Sequence, residues 1–320
     1  MIGQKERRVA GSGEPGVIKY GRTRSLRSLL LGDRFRIGLV RSSLIYLLLA
    51  LSASIFLLPF YWMLNTALKP VEQVFTVPPT YFPSPVQWEN FPASMQATAG
   101  EVSAGAATVS RYFLNTTLIT VNGVIGTVIS SSLAAYAFSR LSFPGRNILF
   151  MGVLSTLMIP FAVIMVPQFM IWRHLGWLNT FWPLMIPQWG GSAWNIFLLR
   201  QFFMTIPKEY DEAALIDGAS AFTIYSRVIM PLAKPALAAV AVFAFVFFWN
   251  DFLGPLIILT TPRNFTLTLF LANFRVAYAT LTPWNLYMAA ALIVVAPCLI
   301  VFFFSQDVFL KGITIADIKR

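Results

Sequence analysis

Six apolar runs, each about twenty residues long, set the strongest constraint on how this chain can fold. They are Leu44–Leu64, Thr116–Phe138, Ile148–Met170, Leu178–Leu199, Pro235–Leu259 and Tyr287–Phe304. A helix of about 20 apolar residues crosses the roughly 30 Å of hydrocarbon in a bilayer. Only 12% of the residues are charged, which is too few to cover this much apolar surface in water. We therefore expect an all-α membrane protein with six transmembrane helices.

Two of these runs contain residues that interrupt a helix. The third run contains two prolines, and the fourth contains Pro183, Pro187 and the pair Gly190-Gly191. A membrane tolerates such breaks where neighbouring helices or water satisfy the freed backbone groups. We therefore expect the third and fourth runs to lie against protein and not against lipid.

The basic residues predict the orientation. Nineteen of the 24 Lys and Arg residues lie in the two tails and in the connections that follow the second and fourth runs, and five lie on the other side. Lys and Arg are enriched in cytoplasmic loops. Both termini and the polar segment Glu209–Pro231 are therefore predicted to be cytoplasmic.

This topology divides the chain into three regions. Residues 1–41 form a basic cytoplasmic tail that is predicted to be disordered in part, residues 42–305 form the six-span domain, and residues 306–320 form a cytoplasmic C-terminal tail. Residues 24–41 suit either a helix on anionic headgroups or a topological stop signal. The outer segment, residues 65–115, is proline-rich and predicted to be extended. Its aromatic side chains either pack on the outer rim or contact an external partner.

The sequence lacks the residues of several kinds of active site. It has no G-x-x-x-x-G-K-[ST] phosphate loop, and its single histidine, His174, has no partners for a metal site or a nucleophile relay. Only Asp251 among the 13 carboxylates lies within a run, whereas ion-coupled carriers keep several ionisable groups in the membrane. A membrane enzyme and a secondary carrier that uses Asp251 are therefore disfavoured. Nucleic-acid binding is disfavoured as well, because no basic face with interleaved aromatic residues is present.

The connection between the fourth and fifth runs has the features of two short helices, and we call residues 205–231 the coupling segment. The first helix begins with acidic residues, Glu209, Asp211 and Glu212, which suit the positive end of a helix dipole. Ala213 and Ala214 are good helix formers that leave room for another surface to approach. Leu215 and Ile216 supply apolar contact.

A glycine separates the two helices of the coupling segment. Gly218 permits the left-handed conformation that ends a helix. A second helix is predicted over Ala221–Ile229, ending at Pro231, and Pro235 opens the next span. This arrangement indicates a docking surface along the membrane face.

These residues resemble the cytoplasmic signature of the permeases of ATP-binding-cassette importers, written E-A-A-x-x-x-G-x9-I-x-L-P. Glu212–Ala214, Gly218 and Pro231 match at the family spacing, and Val228 and Met230 replace the usual Ile and Leu. Further stretches resemble the carbohydrate-uptake branch of the family, in its shorter, six-span, maltose-type form. Spread over residues 40–315, they are Thr66–Gln73, Trp88–Phe91, Arg111–Thr116, Trp249–Phe252 and Gln306–Thr314. The basic N-terminus departs from this pattern.

The resemblance implies a type I importer permease fold in the plasma membrane of a prokaryote. The implied partners are a second homologous permease, two cytoplasmic ATPase subunits and an external sugar-binding protein. The chain itself would bind no cofactor, because the ATPase subunits would use the ATP. The first helix of the coupling segment would sit in a groove of one ATPase, and a tail containing Gln306, Lys311 and Gly312 would reach between the ATPases. A monosaccharide, an oligosaccharide and a glycerol phosphate all fit as substrate.

Asn250 and Asp251 are the predicted residues of the translocation pathway. A polar pair within a span is costly against lipid, so we expect it to face the interior of the bundle. The alternative is that the two side chains pin neighbouring helices by hydrogen bonds. Trp249 beside them is predicted to pack in the core.

Overall fold

The computed structural model describes residues 33–100, 109–277 and 282–314, with the side chains of residues 41–96, 109–274 and 282–306. All regular structure in these ranges is helical, so the predicted all-α class is confirmed for this part of the chain. Residues 1–32 of the predicted basic tail lie outside the described residues. The chain divides into two units, Met1–Pro59 and Phe60–Arg320.

Thirteen helices of the described residues are numbered α1 to α13. They are α1 Asp33–Ala67, α2 Asn90–Gly100, α3 Val109–Arg140, α4 Arg146–Ser155, α5 Phe161–His174, α6 Trp182–Met185, α7 Ala193–Thr205, α8 Glu209–Ile216, α9 Ala221–Leu232, α10 Lys234–Trp249, α11 Leu253–Ile258, α12 Leu267–Ala277 and α13 Trp284–Thr314. Short 3-10 helices cover Val71–Gln73, Thr156–Met158, Ile186–Gly190 and Pro262–Asn264.

Three helices are long and apolar enough to cross a membrane. They are Arg41–Ala67 within α1, the whole of α3, and Trp284–Gln306 within α13, and they contain the first, second and sixth predicted runs. Two bent pairs reach that length when each is counted as one span: Arg146–Met158 with α5, bent by 98°, and α9 with α10, bent by 81°. The described residues therefore hold three to five candidate spans by length and composition, where the sequence predicted six.

The third and fourth runs are broken. The bend in the third run falls at Ile159 and Pro160, where the backbone turns extended before α5 begins. The fourth run forms α6, a 3-10 helix and α7, because Pro187 removes a helical hydrogen bond and Gly191 takes a positive φ of 82°. These are the interruptions that the prolines and the glycine pair of the two runs predicted. In the single chain α7 packs on α3, whereas α5 has no buried residue.

The fifth run also ends early. Its main helix, α10, stops at Trp249, and α11 begins only at Leu253. The cause is local, because Pro255 has no N–H to donate to the carbonyl of Asp251 and its ring would clash with that carbonyl in a continuous helix. Asp251 in turn caps the restarted helix by accepting from the backbone N–H of Gly254 at 3.2 Å. Asn250 and Asp251 therefore lie at a break and not inside a continuous span.

Two further boundaries differ from the sequence prediction. The outer segment contains the helix α2, where extended chain was predicted, because its proline occupies the first turn and Ala, Met and Gln follow. The last helix, α13, continues to Thr314, past the predicted tail boundary at residue 306. Nothing between Phe304 and Lys311 breaks a helix.

The first unit, in its described part, is the N-terminal portion of α1. Every side chain from Arg41 to Pro59 is exposed, and Leu, Ile and Phe predominate among them. Ser54 donates its hydroxyl hydrogen to the carbonyl of Ala50, one turn back, at 2.8 Å. Such a surface suits contact with lipid.

The second unit is built around α3. This helix packs against α7 and α10, and α10 packs in turn against α13. The contact between α3 and α10 is close at Gly123, where an added Cβ would lie 2.6 Å from the ring of Phe248. The largest core cluster joins the C-terminal half of α3 to α7, α9 and α10. The coupling segment therefore rests on the same core that holds the spans together.

Candidate functional site

The first helix of the coupling segment has the predicted start and end. It covers Glu209–Ile216 with three acidic residues in its first turn. It ends at Gly218, whose φ of 77° is in the left-handed region. The N–H of Gly218 donates to the carbonyl of Leu215 at 3.0 Å, and that of Ala219 donates to the carbonyl of Ala214 at 2.9 Å. This pair of bonds is the Schellman motif that glycine favours.

The second helix differs in its pitch. Ser220 caps it by accepting from the N–H of Thr223 at 3.2 Å, but Ile224–Ile229 is π-helical where an α-helix was predicted. The wider turn places both Ile224 and Ile229, five residues apart, in the core. The helix passes through the exposed Pro231 and ends at Leu232.

Arg140 joins the coupling segment to the membrane helices. The guanidinium of this last residue of α3 forms a 2.9 Å ion pair with Asp211, and the side chains are 4% and 17% exposed. It also donates to the carbonyls of Phe203 and Ile206, both at 2.7 Å, at the end of α7. One side chain therefore fixes the end of α3, the end of α7 and the first turn of α8.

Two more side chains of α3 hold the second helix. Tyr136 donates its hydroxyl hydrogen to the carbonyl of Ala221 at 3.0 Å, and the hydroxyls of Ser132 and Tyr225 lie 2.8 Å apart. The rings of Tyr136 and Tyr225 have centroids 5.3 Å apart. Ser132, Tyr136 and Arg140 are spaced by four residues and so share one face of α3.

The sequence reasoning missed this anchoring face. It counted Arg140 only as a charge for the orientation and assigned no role to Ser132 or Tyr136. Three polar residues at a spacing of four, at the end of an apolar run, are the signal that could have found it. Polar side chains on one face of a helix are costly against lipid, so this face is expected to contact other parts of the protein.

The other predicted coupling residues of α8 are either exposed to solvent or packed on the core of the domain. Leu215 and Ile216 are 60% and 87% exposed, and Glu212 and Ala213 are exposed beside them. Ala214 instead packs against the core cluster. The expectation that both alanines leave room for another surface is therefore corrected: Ala213 does, and Ala214 seats the helix on its own domain.

The predicted pathway residues lie at the break after α10. The amide of Asn250 donates to the carbonyl of Val246 at 2.8 Å and contacts the sulfur of Cys298 at 3.6 Å, and the residue is exposed. Asp251 is half-buried, and its backbone carbonyl accepts from the hydroxyl of Thr268 at 2.7 Å. Trp249 is buried, as predicted, and donates its indole N–H to the carbonyl of Val294 at 2.9 Å.

In the described part of the chain, no group of three or more His, Cys, Asp or Glu side chains is placed so that it could hold a metal ion. Of the predicted C-terminal contacts, Gln306 is exposed on α13. The side chain of Lys311 lies outside the described residues, and Gly312 lies within α13.

Comparison with known proteins places this site in a family of transport proteins. Residues 126–315 match the family described as binding-protein-dependent transport system inner membrane component. The sn-glycerol-3-phosphate transport system permease protein UgpE of Yersinia enterocolitica is 32% identical over 268 residues, which are 84% of this chain and 94% of that protein. The arabinooligosaccharides transport system permease protein AraQ of Halalkalibacterium halodurans is 33% identical over 208 residues, 65% of this chain and 74% of that protein.

The fold has a counterpart among solved structures. A chain from the crystal structure of a bacterial ABC transporter involved in the import of the acidic polysaccharide alginate superposes with a TM-score of 0.71. The alignment covers 86% of this chain and 97% of that one, at 24% sequence identity. The matched family region contains the coupling segment, the break after α10 and all of α13.

Proposed function

The chain belongs to the family of inner membrane components of binding-protein-dependent transport systems, the permeases of ATP-binding-cassette importers, and we propose that it is one permease subunit of an ATP-driven sugar importer. It forms half of the translocation pathway together with a second homologous permease. Two ATPase subunits bind its cytoplasmic face, and an external sugar-binding protein delivers the substrate. ATP is bound and hydrolysed by the ATPase subunits, and this chain binds no cofactor.

The observation that carries the proposal is that the first turn of α8 is fixed to the membrane helices while the last turn is exposed. Arg140 fixes the first turn to α3 and α7, while Leu215 and Ile216 present apolar surface at the other end. Burying two such side chains stabilises an interface by roughly 3 kcal/mol, which is about a hundredfold in affinity. We infer that Leu215 and Ile216 insert into a groove of one ATPase subunit.

The mechanism follows from the contacts of Arg140. When the ATPase subunits close on ATP, they displace α8. Because Arg140 ties the first turn of α8 to α3 and α7, and Ala214 packs on the core that these helices share, the three helices move as one body. The close contact of α3 with α10 transmits this motion to the break at Asn250 and Asp251. The two permeases then exchange an inward-open for an outward-open arrangement around the substrate.

The substrate proposed here is a carbohydrate or a related polyhydroxyl compound. Two relatives carry names of this class, sn-glycerol-3-phosphate and arabinooligosaccharides. Asn250 and Asp251 provide the amide and carboxylate oxygens that hydrogen-bond to hydroxyl groups. Gln306, Lys311 and Gly312 are proposed to face the ATPase subunits. The chain is a multi-pass protein of the bacterial inner membrane, with both termini proposed to lie inside.

Association with the ATPase subunit tests the coupling helix. The full-length permease pair is purified with its ATPase, once as wild type and once with Leu215→Asp and Ile216→Asp together. We expect the double variant to lose the ATPase subunit during purification. Phe82→Asp, which alters an equally exposed side chain of the outer segment, should keep it. Wild-type complexes that never contain an ATPase subunit, or a double variant that retains it fully, would refute the proposal.

A further inference from the structure

The loop between α3 and α4 lies at a membrane surface whichever way the chain is oriented. Arg140 is the last residue of one candidate span, and Arg146 is the first residue of the next. Five residues, 141–145, connect them. A connection this short between two spans cannot leave the headgroup region on that side of the bilayer.

This loop borders an open groove. The groove has a volume of about 370 Å³ and is lined by Ser142, Phe143, Gly145, Arg146, Asn147 and Ile148. A hydroxyl, a carboxamide and a guanidinium therefore open onto it from one short stretch of chain. These groups are the hydrogen-bond donors that a phosphate oxygen accepts from.

A second arginine reaches the same face of α4. Phe150 follows Arg146 by four residues, so the two side chains are neighbours on the helix surface. The guanidinium carbon of Arg200 lies 4.2 Å from the centroid of the Phe150 ring, which is a cation–π contact. Arg200 on α7 therefore lies against the same face of α4 as Arg146.

Neither guanidinium has an acidic partner among the described side chains. Arg146 donates to the carbonyl of Leu141 at 3.0 Å, and Arg200 donates to the carbonyl of Phe138 at 3.2 Å. Burial, and next the positive charge of Arg146, lower the pKa of the Arg200 guanidinium from its ordinary value. The nearby Arg140 is neutralised by Asp211. Two positive charges are thus brought together without compensation, while part of each donor set remains free.

The surface next to the groove is apolar. Ile148, Leu149 and Met151 on α4 are 71%, 57% and 61% exposed, and they belong to a candidate span. A ligand with a negative headgroup and hydrocarbon chains matches both surfaces at once. A free phosphate ion would leave the apolar part without an occupant.

We propose that the groove of residues 142–148, together with Arg200, binds the phosphate of an anionic phospholipid headgroup. Arg146 and Arg200 provide the positive charge, Ser142 and Asn147 provide further donors, and the acyl chains lie along Ile148, Leu149 and Met151. The bound lipid neutralises the pair of arginines at the point where α3, α4 and α7 meet. It thereby supports the helices that carry the coupling segment.

Lipid binding to the purified full-length chain tests this site. The delipidated protein in detergent is titrated with phosphatidylglycerol, with phosphatidylcholine and with inorganic phosphate, and bound lipid is counted by native mass spectrometry alongside the melting temperature. We expect phosphatidylglycerol to bind and to raise the melting temperature. Arg146→Gln should weaken this binding about tenfold without changing the melting temperature of the lipid-free protein. Arg146→Lys keeps the charge and should retain most of the binding.

The control is Arg173→Gln, because Arg173 is an exposed arginine near the far end of the same bent span. It should leave phosphatidylglycerol binding unchanged. Equal binding by wild type and Arg146→Gln would overturn the site. An equal rise in melting temperature with inorganic phosphate would overturn the lipid as its occupant, and an equal rise with phosphatidylcholine would overturn the role of negative charge.

Discussion

Arg140 acts at the residue scale as the point where three helix ends meet. It sits 4% exposed between two carbonyl groups and the carboxylate of Asp211. A buried charge of this kind is stable only while its partners are in place. The same property couples the two helices, because α8 cannot move away from α3 without separating Arg140 from Asp211.

Removing the charge of Arg140 should destabilise the whole permease. Arg140→Gln leaves Asp211 half-buried without its cation and two carbonyls without their donor, so we expect a loss of about 3 kcal/mol in unfolding free energy. Thermal unfolding of the purified chain measures this. Arg173→Gln removes an exposed arginine and should change little. An equal change in unfolding free energy for the two substitutions would show that the contacts of Arg140 do not stabilise the protein.

Asn250 and Asp251 differ in what each contributes to the chain's own structure. Asp251→Asn keeps an oxygen that can accept from the N–H of Gly254 and removes only the charge. Asn250→Ala removes contacts with Val246 and Cys298 at an exposed position. We therefore expect both variants to fold and to show a raised KM for sugar uptake in proteoliposomes. If both transport the sugar with unchanged KM and selectivity, the pathway role is wrong.

At the scale of the helix, the close approach of α3 and α10 depends on Gly123. A Cβ at this position would lie 2.6 Å from the Phe248 ring, whereas a Cβ at Gly152 in α4 would meet nothing within 4 Å. Gly123→Ala should therefore destabilise the protein by about 1–3 kcal/mol, and Gly152→Ala should stabilise it by about 0.5 kcal/mol. Melting temperatures should move in opposite directions. A shift of the same sign and size for both would contradict this packing.

The end of α8 depends on one backbone conformation. Gly218 has a φ of 77° with open space around it, so strain alone decides which residues fit. Gly218→Val should displace the end of the helix at a cost of about 2 kcal/mol and abolish uptake. Gly218→Asn, which tolerates left-handed backbone, should keep most of it. Uptake of the two variants in membrane vesicles makes the comparison, and normal uptake by Gly218→Val would contradict the role of the turn.

The sequence predicted some elements well because their signals are local. The start and end of α8 follow from an acidic first turn and one glycine, and both are confirmed. The interruption of the fourth run follows from Pro187 and the pair Gly190-Gly191, which are local signals too, and it is confirmed. The π-helical stretch and the tie from Arg140 to Asp211 were missed, since both depend on residues more than 70 positions apart in the sequence meeting in the core.

At the scale of the whole molecule, the coupling segment shares a core with α3, α7 and α10 in the second unit. The family match, residues 126–315, contains both the coupling segment and the predicted pathway residues Asn250 and Asp251. The proposed importer draws its work from ATPase subunits, because the sequence has no phosphate loop of its own. In the proposed mechanism, a separate ATPase displaces α8 and thereby moves the membrane helices.

Cross-linking of the assembled transporter tests this claim most directly. Cys298 is the only cysteine, so a Cys298→Ala chain carrying Ile216→Cys can be labelled at one position with a photoactivated cross-linker. We expect the adduct to contain an ATPase subunit, whereas Phe82→Cys in the same background should give none. An Ile216→Cys adduct with the external binding protein, or no adduct while the ATPase is present, would contradict the account.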